Sequence, residues 1–328
     1  MPANLPPDYF AAESAFRAAT TSQAKVEALE RMLAVMPHHK GTDHLRAELR
    51  SRMAKLTQEV SRQRAHGHAD LYSVHREGAG QVAVIGAPNA GKSSLVRALT
   101  GAPARVADYP FTTQLPQPAM MRFEDIQVQL VDLPAVASGA TPPWLRSVIT
   151  QADLLLVVVD LDTDPTAELE QVRHELGGMH VSLRAPHSEP TDAQPALLIG
   201  TKLDLPAAAD GAALLEMEME LEVELEARVP LLRVSAETGA GIEPLKSRIF
   251  EALDVVRVYA KPPGRAADLA RPFVLHHGAT VEDLADVVHH EVRQKLQYAV
   301  RWPSDAAPLR VARHYVLADR DVIELHAG

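Results

Sequence analysis

Apolar residues near the start of the chain recur at helical spacing, as in Val26, Leu29, Met32 and Leu33, then Leu45, Leu49, Met53 and Leu56. The pattern predicts two helices between Tyr9 and about Arg64, broken around His38-His39-Lys40-Gly41, with Thr42 and Asp43 at the N-cap of the second. From Gln81 the rhythm changes to short apolar runs at 82–85, 128–131, 154–159, 196–199 and 231–234, separated by helix-length segments. That alternation predicts an α/β domain whose mainly parallel sheet is buried on both faces. Residues 177–195, rich in Gly, His, Pro and Ser, read as a loop or small insertion. Residues 217–226 alternate Glu with apolar positions, which suggests a strand, but their place before the last run favours a helix. The stretch Tyr259-Ala260-Lys261-Pro262-Pro263-Gly264-Arg265 reads as a linker. An α+β module of about 60 residues follows. Its expected elements are a strand at 273–275, a helix opened by Thr280, Glu282 and Asp283, and strands at 315–317 and 322–325. The expected division is an N-terminal helical region at 1–78, the α/β domain at 79–258, a linker at 259–270 and the last module at 271–328.

Composition narrows the chemistry. The chain has 328 residues, 46% hydrophobic and 23% charged, ordinary for a globular protein with two or three domains. It has no cysteine, which excludes disulfides, thiolate metal sites and a cysteine nucleophile. The formal net charge of −10 argues against a surface that traps nucleic acid throughout, so any RNA contact is expected to be local. Lys40, Arg46, Arg50, Arg52, Lys55, Arg62 and Arg64 make the second helix basic, either as a solvated face or as a surface toward RNA or the nucleotide domain. Met1 to Pro7 lacks the features of a signal peptide and no stretch has the length of a membrane span; the expectation is a cytoplasmic protein with no membrane and no DNA partner.

Gly86-Ala87-Pro88-Asn89-Ala90-Gly91-Lys92-Ser93, with Ser94 next, lies between the run 82–85 and an amphipathic stretch at 95–99. Glycines there let backbone N–H groups turn toward a phosphate, Lys92 neutralises β/γ-phosphate oxygens, and Ser93 offers its hydroxyl to Mg²⁺. Asp132 ends the run 128–131 and is placed to hold Mg²⁺ through water; Asp160 also ends a run and competes for that role, but is read as a helix cap or turn residue. In Thr201-Lys202-Leu203-Asp204 the carboxylate can accept two hydrogen bonds from the N1–H and exocyclic amine of guanine, a donor pair adenine lacks, while the Lys202 stem lies across the base. Ser235, Ala236 and Glu237 either present backbone N–H groups to the guanine carbonyl or cap the helix leading into Ile242.

In this order the segments resemble the five G motifs of translation-factor-class GTPases of the Obg family. Asp108-Tyr109-Pro110-Phe111-Thr112-Thr113 is similar to that family's switch I, which implies that Phe111 and Thr112 border the nucleotide and that Thr113 contacts Mg²⁺ and the γ-phosphate. Lys25-Val26-Glu27-Ala28-Leu29-Glu30 and His39-Lys40-Gly41-Thr42 resemble the N-terminal region of the DRG branch, the developmentally regulated GTP-binding proteins. Gly278-Ala279-Thr280-Val281-Glu282-Asp283-Leu284, Gln297-Tyr298-Ala299-Val300-Arg301-Trp302 and Asp321-Val322-Ile323 are similar to their TGS domain. The resemblance implies an α/β P-loop NTPase G domain with a parallel-type sheet, an N-terminal helical region and a small C-terminal α+β, β-grasp-like TGS domain. It implies GTP/GDP and Mg²⁺ as ligands and Lys92 and Thr113 as catalytic residues. The TGS domain and N-terminal helices would be contacts for ribosome or rRNA, with a regulatory protein as a further partner.

Three departures bear on activity. The family's Asp-x-Pro-Gly is here Asp132-Leu133-Pro134-Ala135, so Pro134 and Ala135 face the phosphates without the sensing glycine. Residues 136–143, Val-Ala-Ser-Gly-Ala-Thr-Pro-Pro, are stiffer than a glycine-rich switch II, and Val136 stands where a glutamine would orient water. Thr201 replaces Asn in the guanine motif. The expectation is slow Mg²⁺-dependent GTP hydrolysis linked to ribosomes, the alternative being a guanine-nucleotide-binding scaffold with impaired hydrolysis or switching. An adenine-nucleotide enzyme conflicts with Asp204. Asn89 resembles the P-loop asparagine of some related GTPases, which implies a stimulating K⁺; the alternative is that it stabilises the loop turn. The histidines, His289-His290 included, read as surface or packing residues, and Phe273, Tyr298 and Trp302 as core in preference to RNA-stacking groups.

Overall fold

The computed structural model describes residues 6–19, 22–36, 46–56, 72, 74–101, 115–136, 141–189, 191–205, 230–303 and 307–327. The chain divides into two compact units, Met1–Ser73 and Val74–Gly328.

The first unit contains α1 (Pro7–Ala18), α2 (Ser22–Val35) and α3, residues 46–56. Tyr9, Leu29, Met32, Met36 and Leu49 form its buried centre. Two helices were expected over this stretch. The structure has a further break at Ala19, which is extended (φ −69, ψ 124), before α2 begins at Ser22. Of the basic residues, Arg46 is buried and donates to the Met36 carbonyl at 2.8 Å, and Arg52 lies 5.7 Å from the Phe16 ring centroid. Arg50 and Lys55 are exposed. Thr42 and Asp43 lie outside the described residues.

The second unit opens with β1 (Gln81–Gly86), α4 (Lys92–Thr100), β2 (Gln117–Phe123), β3 (Ile126–Asp132), α5 (Leu145–Gln151) and β4 (Leu154–Asp160). It continues with α6 (Pro165–Gly178), β5 (Leu183–Arg184), β6 (Gln194–Thr201), β7 (Leu231–Arg233) and α7 (Ile242–Ala252). The strand order is β2-β3-β1-β4-β6-β5, with β7 on β6; only β2 runs antiparallel to its neighbour among the described strands. Side chains of β1 and β4 alternate between two cores. Ala83, Ile85, Leu155 and Val157 pack with Ile149 of α5 and Leu169 of α6, while Val82, Val84, Leu156 and Val158 pack with Leu95 of α4 and Leu245 of α7. This two-sided burial explains the continuous apolar runs. Parallel pairing also brings Gly86, Asp132, Asp160 and Thr201 to one edge of the sheet, at the strands' C-terminal ends. The segment 177–195 is largely loop but contributes β5. Residues 217–226 lie outside the described residues.

A second sheet follows, with order β11-β10-β12-β8-β9, built from β8 (Val255–Ala260), β9 (Phe273–His276), β10 (Leu296–Arg301), β11 (Leu309–Val311) and β12 (Asp321–Ala327). Helices α8 (Val281–Val288) and α9 (His290–Lys295) lie between β9 and β10 in the chain. Strand β8 runs across the expected boundary at 258/259 and pairs with β12 and β9 of this sheet. Thr280 opens α8 with a capping box to Asp283, as Thr-x-x-acid predicts. Residues 315–317 form no strand, although Val316 makes an isolated bridge with Thr280. Phe273 packs on the core of Val258, Leu284, Ala299 and Ile323. Tyr298 instead stacks on His326 at 4.4 Å beneath Arg310, and Trp302, 37% exposed, lies under Lys261. Among the described residues no helix is long and apolar enough to cross a membrane.

Candidate nucleotide site

The loop between β1 and α4 owes its shape to close backbone approaches. A Cβ at Gly86 would lie 2.3 Å from the Val158 carbonyl oxygen of the adjoining strand. Gly91, at φ +86, is the left-handed N-cap of α4, and a Cβ there would come within 3.1 Å of Thr201 Oγ1. Ala87 and Ala90 are buried, Pro88 is half-buried, and Asn89 is exposed with φ +62. Lys92, the first residue of α4, curls back over the loop and donates to the carbonyls of Gly86 at 3.1 Å and Ala87 at 2.7 Å. Burial lowers its pKa to about 8, against the opposing pull of the Asp132 carboxylate.

Ser93 and Ser94 are exposed at the start of the same helix. Ser93 donates through Oγ to Asp132 Oδ2 at 2.5 Å. Asp132 is 4% exposed, and its Oδ1 is buried with no hydrogen-bond partner among the described residues. Burial raises its pKa, while the Ser93 hydrogen bond and the Lys92 charge act in the opposite direction. A hydroxyl and a carboxylate side by side, with one buried carboxylate oxygen unsatisfied, are a donor set that fits Mg²⁺. Pro134 is buried and Ala135 half-buried beyond them. Val136 is turned away: its side chain is wholly buried in the sheet core, and its N–H donates to the Gly86 carbonyl at 3.1 Å. Phe111, Thr112 and Thr113, and residues 137–140 of the stiff segment, lie outside the described residues.

At the other end, the buried Thr201 donates through Oγ1 to the Ala90 carbonyl at 2.6 Å, tying β6 to the phosphate loop. Its hydroxyl thus supplies an anchor although the asparagine amide is missing. Asp204 is exposed, and its Oδ1 accepts from the hydroxyl of the wholly buried Ser235. Ser235 in turn accepts the Thr238 N–H at 3.1 Å, so the turn preceding α7 fixes the carboxylate from behind. Ala236 is half-buried and Glu237 exposed beside it. The structure therefore brings Gly86–Ser93, Asp132, Thr201 and Lys202 to one sheet edge, with Asp204 and Ser235 adjoining it.

In the sequence Asp160 reads as a cap or turn residue. Its side chain is 3% exposed and holds the Lys202 ammonium in an ion pair. The strand ending at Asp160 was legible, but the partner 42 positions away was not.

Residues 81–187 match the family described as 50S ribosome-binding GTPase, and residues 256–327 match the TGS domain. The chain thus carries a GTPase domain with a mixed sheet followed by a TGS domain. An uncharacterized GTP-binding protein of Methanocaldococcus jannaschii is 26% identical, with 92% of each chain covered. The developmentally regulated GTP-binding protein 1 of Xenopus laevis and its homolog in Dictyostelium discoideum are each 25% identical, covering 92% of this chain and 98% of theirs. A crystal structure of a GTP-binding protein from Pyrococcus horikoshii covers 76% of this chain and 100% of its own at 16% identity, with a TM-score of 0.49.

Proposed function

We propose, from the premise that this chain joins a GTPase domain to a TGS domain and has developmentally regulated GTP-binding proteins among its homologues, that it binds GTP and GDP with Mg²⁺ and hydrolyses GTP slowly in contact with cytoplasmic ribosomes. The observation that carries the reading is the meeting of Ser93 with Asp132 beside Lys92. Ser93 and Asp132, with Thr113, would hold Mg²⁺, which supplies positive charge against the β- and γ-phosphate oxygens. Lys92 and the N-terminal N–H groups of α4 add charge stabilisation from the protein itself, and these are interactions that strengthen as the phosphoryl group is transferred. Asp204, oriented by Ser235, accepts from the guanine edge. Slowness follows from Val136: buried in the core, it can orient no water. Ribosome contact is supported by the description of the GTPase family that residues 81–187 match, and we assign the contact to the TGS domain and N-terminal helices. Asn89, exposed on the loop with φ +62, is the residue we assign to K⁺ stimulation.

Single-turnover hydrolysis of GTP with Mg²⁺, with Lys92→Ala as control, tests the reading. Slow phosphate release above the control is expected. Release no faster than the control, with GDP still bound, would leave a guanine-nucleotide scaffold, which the fixed Val136 and Ala135 favour as the second reading. Equal rates in KCl and NaCl would remove the K⁺ role. Absence from ribosomal fractions in GTP, GDP and no nucleotide alike would remove the ribosomal one.

A further inference from the structure

Asp160 ends β4 directly opposite Thr201 of β6. Its two oxygens do different work: Oδ1 accepts the Asp162 N–H at 2.9 Å and closes a local turn, while Oδ2 takes the Lys202 ammonium. The carboxylate cannot readily drift, because the Asp160 N–H is itself bound to Glu168 Oε2 at 2.9 Å, and Glu168 Oε1 accepts the Thr163 hydroxyl at 2.9 Å. Lys202 has a left-handed backbone, φ +60, and sits two residues before Asp204. A lysine so close in sequence to a base-reading carboxylate is a natural competitor for it. An unpaired ammonium there would also repel the N–H donors of guanine.

We propose that Asp160 is a positioning residue for guanine recognition: by capturing the Lys202 ammonium it leaves Asp204 to accept from the base and holds the Lys202 methylene stem as an apolar surface for the ring. The inference rests on the guanine reading given above. A buried carboxylate that served only its turn would use Oδ1 alone; the ion pair through Oδ2 is the additional observation.

Asp160→Asn separates the two uses, since the amide oxygen keeps the Asp162 bond and the ion pair is lost. In calorimetric titrations with Mg²⁺, GDP affinity is expected to fall on the order of tenfold while inorganic pyrophosphate binds as to the parent. In a Lys202→Ala background the same substitution should change GDP affinity by less than about twofold. No loss, an equal loss for GDP and pyrophosphate, or the same loss in both backgrounds overturns the proposal. Asp160→Ser, whose hydroxyl also accepts the turn N–H, carries the same test if the asparagine variant does not fold. If the parent binds ADP as tightly as GDP, the guanine reading fails and the proposal falls with it, a result read on the parent alone.

Discussion

Arg257 donates through Nη1 to Asp125 Oδ1 at 2.9 Å, joining β8 of the second sheet to the turn between β2 and β3 of the first. The same guanidinium bonds Glu124, clasps Asp319 through Nε at 3.0 Å and Nη2 at 2.6 Å, and lies 4.8 Å from the Phe250 ring centroid. Tyr259 adds a hydrogen bond to Asp125, and burial with that contact pushes its pKa up to about 12. A guanidinium only 4% exposed is tolerable because three carboxylates surround it, Asp319 chief among them in holding its pKa above the ordinary value. The hairpin it grips ends at Asp132, so the TGS domain is bonded to a strand that leads into the candidate nucleotide site.

Arg257→Ala removes the cation from Asp125 and Asp319, while Glu124 keeps Arg320 at 2.6 Å. The expected loss is about 3 kcal/mol of unfolding free energy, reduced from the fully buried case because the carboxylates are partly solvated. Thermal unfolding followed by calorimetry should split from a joint transition of the GTPase and TGS domains into two. A midpoint unchanged from the parent would show that the cluster contributes little.

Such a cluster was invisible in the sequence, whereas strands β1, β3, β4, β6 and β7 of the first sheet were not. Val82–Ile85 and Leu154–Val159 are buried on both faces, so burial writes itself as an unbroken apolar run. Strand β2 escaped because Gln117 and Pro118 are exposed at an edge, where polar residues and proline are permitted. Strand β8 reads in part as linker because Pro262-Pro263-Gly264 follows it, and because Arg257 becomes buried only through acids more than 60 positions away. The candidate site was legible wherever its residues are contiguous, as from Gly86 to Ser93. Its cross-links were not: Thr201 to Ala90 spans 111 positions, and hydrogen bonds across such distances leave no local pattern.

That cross-link gives a second expectation. Thr201→Val preserves shape but removes the hydroxyl, leaving the Ala90 carbonyl without this donor. A buried acceptor so abandoned costs roughly 1–3 kcal/mol. Stability should fall by that order, and GDP affinity should fall with it as the phosphate loop loosens. Thr201→Asn, which restores a donor, should recover at least part of both; an asparagine variant weaker than valine would count against the anchoring role.

Asp204→Asn replaces one acceptor oxygen with an amide donor where, in the proposed reading, guanine would present its N–H groups. GDP affinity should drop by at least about 100-fold, and xanthosine diphosphate, whose ring carries a carbonyl in place of the amine, should gain relative to it. Competition titration of the two nucleotides measures the switch. A parallel loss for both would mean that Asp204 is structural.

Lys92 carries a pH dependence whose direction is fixed by its lowered pKa of about 8. The unfolded chain holds this proton up to about 10.4, so the buried ammonium costs stability fully below pH 8, and the cost fades as pH rises toward 10.4. Lys92→Met should therefore raise the thermal midpoint of nucleotide-free protein at pH 7, with the gain shrinking by pH 10. Phosphate prefers the charged amine, so parent GDP affinity should be flat below about pH 7 and fall by at most tenfold per unit as pH rises through 8. Calorimetry in buffers of different ionisation enthalpy should then record proton uptake on binding near pH 8.

Substitution of Ala135 tests the slow enzyme against the scaffold. Ala135 follows Pro134 and precedes Val136, whose N–H is bonded to the Gly86 carbonyl and whose side chain is locked in the core. The segment is thus clamped just beyond the carboxylate expected to serve Mg²⁺, and alanine adds a Cβ and a narrower φ range where rearrangement around a γ-phosphate would need latitude. Ala135→Gly should raise single-turnover GTP hydrolysis severalfold while lowering stability by about 0.5–1 kcal/mol, because glycine widens the unfolded ensemble. GDP affinity should be nearly unchanged, since Ser93, Asp132 and Lys92 keep their contacts. An unchanged hydrolysis rate with the expected stability loss would move the restriction from Ala135 to the Val136 clamp. Val136→Ala, which empties part of the buried pocket, would then be the substitution that frees the segment, at about 1–3 kcal/mol of stability.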